Sequence, residues 1–322
     1  MKKLTLLICL MIFLFLPVSS LKAEENNSNN NLLRLGVMKF FSRAEGVTDK
    51  QAEAIGDIFT RMLANSKAMI VVERDRIDEI ANEHKLTQAG RFEDDAVIQL
   101  GKLMSCQYML LGAVTNLERK TRETDLWLIS EKHQEVTATI DVRIVDVATS
   151  KIILSFSESG SSSQKGSGFN FYGVQSNNNN FSGIEIPAIS EAVLRAIFHI
   201  REALAGESVQ VIDIANKEIT INAGENWGIN AGNLFRVYSE GKEVFNVDGS
   251  SMGKKLTLLA VVKVTDVQKE LSTAQVIKNG GSLSSIRRGS RIQPISRKEA
   301  DNLIKDKTFA PSKNSKNKKR SY

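Results

Sequence analysis

Hydrophobic positions in the first two thirds of the chain switch repeatedly between strand-like and helix-like spacing. Leu32 to Phe41 reads as a strand, apolar on both faces toward its end. Thr48 and Gln51 then form a capping box, and Ile55, Ile58, Phe59, Met62 and Leu63 follow helical spacing. A short buried strand is predicted at Ala68–Val72. Asp75 is expected to cap a second helix that puts Ile77, Ile80, Ala81 and His84 on one face. A third helix carries Val97, Leu100 and Met104, and Tyr108–Val114 is a further buried strand. From Val136 to Val147 the pattern alternates strictly. Val136, Ala138, Ile140, Val142 and Ile144 face one side and Thr137, Thr139, Asp141 and Arg143 the other, as in a half-exposed strand. The turn Ala148–Lys151 leads into a hairpin partner, "IILSFS". After a polar Gly/Ser/Asn stretch, a long helix turns Ile189, Ala192, Val193, Ala196, Ile197, Ile200 and Leu204 inward. The fold class implied for residues 33–206 is α/β, a mixed sheet with flanking helices.

The texture changes after Gly206. Short apolar stretches punctuated by Gly, Asn and Asp run to residue 295, a density of turn signals that predicts a small all-β barrel domain for 207–295. Ser296 and Glu299 form another capping box. Residues 296–322 are therefore expected to be a short helix followed by a basic disordered tail, dispensable for folding beyond Asp301.

The N-terminus reads as a secretory leader. Lys2 and Lys3 precede an apolar run that ends at Pro17, with small residues before a cut after Ala23. The run is shorter than the roughly 20 residues that span a bilayer, so cleavage is favoured over an anchor. Residues 1–23 are assigned to the signal peptide and 24–32 to a flexible arm. Cys9 leaves with the leader, and Cys106 alone cannot form an internal disulfide, so an exported chain must rely on its core. The basic character is local. The net charge of +6 becomes +3 without Lys2, Lys3 and Lys22, and the tail from Lys305 onward contributes +6, leaving the body near −3. No basic face with interleaved aromatics appears in the body, so nucleic acid is not an expected partner.

Chemistry is scarce. His84, His133 and His199 have no second histidine or cysteine at metal-ligand spacing. "GSSMGKK" lacks phosphate-loop spacing, "GSGFNF" is followed by no helix pattern, and no serine sits in a nucleophile elbow. Cys106 ends a helix before a buried strand, the setting of a packed thiol. The acids Glu73, Asp75, Asp78 and Glu79 crowd a helix start, where the macrodipole favours them. No catalytic residue, cofactor or metal is expected, and the chain is read as not an enzyme.

The order of the segments carries more information. "MIVVERDRIDEIANEHKLTQAGRF", "AVIQLGKLMSCQYMLLGAVTNLE" and "VTATIDVRIVDVATSKIILS" resemble the curli secretion channel (CsgG-like) family over about residues 33–204. Arg74, Glu83, Gly90, Leu100, Gly101, Gly112, Asp146 and Thr149 match its pattern, and Ser150 stands where glycine is usual. "ITINAGENWGINAGNLFRVY" and "VDGSSMGKKLTLLAVVKVT", with Gly224, Gly228, Gly232, Asp248 and Gly253, are similar to the C-terminal domain of flagellar assembly protein T. The resemblance implies a structural role for Arg74, Glu83, Gly90, Gly101, Gly112 and Asp146; Arg74 and Glu83 are both expected where the second helix leaves its strand, each able to pair with neighbouring charges. It also implies a homo-oligomeric ring, a periplasmic location and association with the outer membrane. Channel members of the family carry a lipobox and a pore-constriction loop, and here no lipobox is present and "SRAEGV" is too short to hold that loop. Channel members also insert two hairpins into the membrane. "LERKTRETDLWLISEKHQE" is too charged for one, and the segment holding Phe169, Phe171 and Tyr172 is short, so those three are assigned to oligomer or membrane contact. Three readings follow. The first is an oligomeric periplasmic scaffold for envelope or secreted clients. The second is an outer-membrane secretion channel for extracellular fibre subunits, and the third is a periplasmic activator of a cell-wall synthase.

Overall fold

Six apolar stretches of the first domain lie side by side as one sheet: β1 (Leu33–Val37), β2 (Phe41–Ser42), β3 (Met69–Val72), β4 (Tyr108–Leu126), β5 (Ile129–Asp146) and β6 (Lys151–Ser163). The computed structural model describes residues 32–66, 69–72, 74–84, 94–126, 129–163, 183, 185–306 and 309. The strand order is β3-β1-β4-β5-β6, with β2 also paired to β4. β1 runs parallel to β3 and β4, and β4, β5 and β6 are antiparallel to one another.

Two layers of helix cover the sheet. On one face, α1 (Asp49–Ala64) and α4 (Glu185–Ala205) deliver Ile55, Phe59, Leu63, Val193 and Ile197 against Leu35, Leu110 and Ile140. On the other, α2 (Arg74–Glu83) and α3 (Asp94–Leu103) deliver Ile77, Ala81, Val97 and Leu100 against Val72 and Met109. The neighbours Met109 and Leu110 serve opposite faces because side chains alternate along a strand. The α1 capping box forms as the sequence implies, with Thr48 Oγ1 accepting from the Gln51 amide and Gln51 Oε1 accepting from the Thr48 amide. Asp75 does not cap α2. The helix already begins at Arg74, so Asp75 lies inside its first turn.

The second sheet contains β7 (Val211–Ala215), β8 (Glu218–Ile221), β9 (Leu234–Phe245), β10 (Ser251–Val267), β11 (Ser272–Gly281) and β12 (Arg291–Ile295). Its order is β12-β9-β10-β11-β8-β7. This is an open path and not the closed barrel that the turn density suggested. The edge strands β7 and β12 meet at their ends, through the antiparallel bridge Gln210 to Arg291 and three backbone hydrogen bonds between residues 209–211 and 289–292.

The hydrophobic core continues from the first sheet into the second through α4. Phe198 meets Trp227 edge-on at 5.0 Å between ring centroids and lies 5.8 Å from Phe235. Arg201, with 2% of its surface exposed, stacks over Trp227 and donates to the Asn226 carbonyl and to Glu207. A last helix, α5 (Arg297–Lys305), starts with the Ser296–Glu299 capping box. Contrary to the expectation for the tail, residues beyond Asp301 do pack. Leu303 and Phe309 lie against the cluster of Leu234, Val261, Ile295 and Ala300.

Candidate assembly surfaces

Two hairpins outrun the sheets they belong to. β5 pairs with β6 only from Glu135 to Asp146, yet β4 and β5 stay paired from Lys120–Glu135 out to Leu126–Ile129. The sequence reading stopped the first of these strands at Val114 and began the second at Val136. In the second sheet, β12 reaches along β9 only to Tyr238, and β11 reaches along β10 only to Ala260. Among the described residues, Ser239–Phe245 and Ser251–Thr257 consequently pair with each other alone and form a two-stranded arm. The turn at its end is held by Asp248, whose carboxylate accepts the Ser250 amide at 2.9 Å and the Ser250 hydroxyl at 2.5 Å. These bonds hold the Asp248 pKa below the usual carboxylate range. Val244, Phe245, Val247, Met252 and Leu256 are all exposed on this arm.

A groove of about 420 Å³ opens beside β3, the edge strand of the first sheet, lined by Arg34, Ile70, Ile80, Leu103 and Met104. Arg34 is fixed at its margin by donating to the Ser105 and Met104 carbonyls. Ile70 and Leu103 are partly exposed there. Nearby Cys106 is buried, and burial pushes its thiol pKa up, the behaviour of a packed residue.

Charged side chains are concentrated where elements join. Arg195 of α4 donates to both Glu299 carboxylate oxygens, at 2.5 and 3.2 Å, and to Glu158 of β6 at 3.1 Å. Burial acts to raise the pKa of both Glu158 and Glu299, but it is outweighed, at Glu158 by the bond to His199 and then by Arg195, and at Glu299 by Arg195 and then by Ser296, so both carboxylates are held below the usual range. Glu191 is served worst. Its carboxylate lies 3.8 Å from Arg195, and burial pushes its pKa up to about 7. His199 stacks on Phe156 at 4.1 Å, with Nδ1 3.4 Å from Glu158, while His84 is exposed. Among the described residues, no group of three His, Cys, Asp or Glu side chains could hold a metal ion.

The residues singled out by sequence are scattered. Arg74 opens α2 and Glu83 closes it, so they are separated by the helix length of roughly 14 Å and do not meet at one strand end. Gly101 faces Val147, and Gly112 lies under the Phe40 ring. Asp146 accepts the Thr149 amide and hydroxyl, at 2.7 and 2.9 Å, and so ties the turn between β5 and β6. Ser150 in that turn takes a left-handed φ of 58°, the reason glycine is the usual residue there. Gly90, Phe169, Phe171 and Tyr172 lie outside the described residues, as does the leader. Sequence reasoning did not identify the arm or the groove. "FNVDGSS" signals a turn, but the exposure of the apolar residues beside it depends on which strands stop short.

The family profile of the curli production assembly/transport component CsgG matches residues 27–230, and that of the C-terminal domain of flagellar assembly protein T matches residues 216–286. A search of curated proteins finds no match. Solved structures similar to this chain include the C-terminal domain of LpoB from Salmonella enterica. That likeness has 16% identity and a TM-score of 0.30, and covers 39% of this chain and 81% of that one. Lipoprotein GNA1162 from Neisseria meningitidis matches with 18% identity and a TM-score of 0.32, over 42% of this chain and 86% of that one. The PelC dodecamer from Paraburkholderia phytofirmans matches with 13% identity and a TM-score of 0.25, over 42% and 74%. No helix among the described residues is long and apolar enough to cross a membrane.

Proposed function

This chain belongs to the family of the curli production assembly/transport component CsgG, and from that premise we propose that it is a non-enzymatic assembly component of the cell envelope, acting as an oligomeric periplasmic scaffold at the outer membrane. The observation that carries this reading is the family match across residues 27–230, which spans the whole first sheet with both of its helical layers. The use made of the charged groups supports a structural role. Arg195, Glu158, Glu299, Arg201 and Glu207 are engaged in fastening elements to one another. The two hairpins that outrun their sheets are the parts free to meet partners. We read the second sheet as an open form of the small barrel its turns implied, since three backbone hydrogen bonds already cross its two edges, between residues 209–211 and 289–292.

One observation favours a second reading, the secretion channel: the β4–β5 hairpin continues well past the sheet, as a membrane-inserting hairpin would. Its sequence speaks against lipid. From Arg119 to Asp125 both alternating sets carry charge, Arg119, Glu123 and Asp125 in one and Lys120 and Arg122 in the other. A lipid-facing strand keeps one set apolar. The two readings separate in a planar bilayer, where the scaffold leaves the membrane electrically silent and a channel opens discrete conductance steps.

A further inference from the structure

A two-stranded hairpin without a third strand is marginal in water, so an arm of this kind calls for something to cover it. Among the described residues, both outer edges of Ser239–Phe245 and Ser251–Thr257 are unpaired. The apolar side chains gather at its end. Val247 is fully exposed at the apex, and Phe245 and Met252 are 59% and 67% exposed beside it. Phe245 sits across from Ser251, so the next residue, Met252, points to the opposite face. The tip is thus apolar on both faces and at its apex, above a collar of Lys242, Glu243, Lys254 and Lys255. A knob of this shape fits a recess better than a flat surface.

The apex also carries charge. The two hydrogen bonds from Ser250 favour the ionised form of Asp248. An unpaired carboxylate is costly to carry into hydrocarbon, so lipid is a poor cover for this tip. A suitable recess has apolar walls and a cation at its margin. The groove beside β3 offers Ile70, Ile80 and Leu103 on walls whose exposed surface is otherwise mostly polar, together with the fixed guanidinium of Arg34. Ile70 and Leu103 remain 36% and 47% exposed, so among the described residues neither knob nor groove is covered.

We infer that the β9–β10 arm of one copy seats in the groove beside β3 of the next, with Val247 and Phe245 against Ile70 and Leu103 and Asp248 facing Arg34. This rests on the oligomeric reading above and names its surfaces. Knob and groove are different patches, so the contact is head-to-tail and closes into a ring or runs on as a filament.

Complementation of two variants tests it. Val247→Asp spoils the knob and leaves the groove; Leu103→Glu spoils the groove and leaves the knob. Both positions are exposed, and circular dichroism melts are expected to match the parent protein. In sedimentation velocity, each variant alone should associate at least ~30-fold more weakly, the scale of losing a central contact. A 1:1 mixture should recover dimers and nothing larger, because one intact interface remains. Two folded variants that stay monomeric when mixed would overturn the inference. So would unchanged assembly of both variants, which would leave the oligomeric reading standing. A parent protein monomeric at every concentration would remove both. Vesicle flotation that requires Val247 while assembly does not would overturn it in favour of a lipid surface.

Discussion

Gly112 has no room for a side chain. A Cβ there would lie 2.0 Å from the ring of Phe40, which is itself fully buried and packed on Phe59 at 4.9 Å. Gly112→Ala is therefore expected to cost about 1–3 kcal/mol, the usual scale of overpacking, read as a lowered midpoint in urea. Glu191 gives a test by pH. Burial raises its pKa from the ordinary 4.5 to about 7, so the folded state holds a proton that the unfolded state gives up. Its contribution is favourable in acid and is lost as pH rises from about 4.5 to about 7. Glu158 and Glu299, whose pKa values are lowered, act in the opposite sense and only below that window, where stability is lost as pH falls. Glu191→Gln should keep the bond from the Ser161 amide and remove the slope between pH 5 and 7. By linkage the variant gains up to about 3 kcal/mol over the parent at pH 8 and little at pH 5. Parallel urea titrations at the two pH values would show it; equal slopes for both proteins would contradict the assignment.

At the scale of elements, the C-terminal helix is part of the body. Arg195 clamps Glu299, and Leu303 and Phe309 extend the small cluster around Ala300. A chain ended after Asp301 loses both half-buried apolar side chains and should be roughly 1–3 kcal/mol less stable, about half of what full burial of two such side chains contributes. A chain ended after Ala310 keeps them and should melt close to the parent in calorimetry. What could be seen of these elements in the sequence follows from the range of the forces involved. The Thr48–Gln51 and Ser296–Glu299 boxes form because both partners lie within one turn. The alternation from Val136 to Ile144 marks a strand because one face meets the helical layer. The continuation of β4 through Arg119 to Asp125 left no such mark. Those residues alternate charge in both sets along the sequence, and the strand continues there in register with β5. The arm was hidden for a related reason. Val244, Phe245 and Met252 look like core residues until it is known that β11 and β12 end short of them. Arg74 and Glu83 are both expected at the strand end, but the ten-residue helix they bound puts only Arg74 there.

For the whole molecule, the two sheets are held as one body by the core running through α4 and by Arg201 at the junction. Removing Arg201 leaves a hole over Trp227 and strands the Asn226 carbonyl. Arg201→Ala is expected to cost about 3 kcal/mol and to unfold both sheets in a single transition, visible as coincident near- and far-ultraviolet melts. Such a rigid body, with apolar residues displayed on a projecting arm and a groove at a sheet edge, is suited to assembly with copies of itself. The mass of the purified protein in solution, measured by sedimentation equilibrium across a wide concentration range without detergent, tests this most directly. The account predicts a discrete species several times the chain mass that dissociates on dilution. A single species at the mass of one chain, at every concentration, would contradict it.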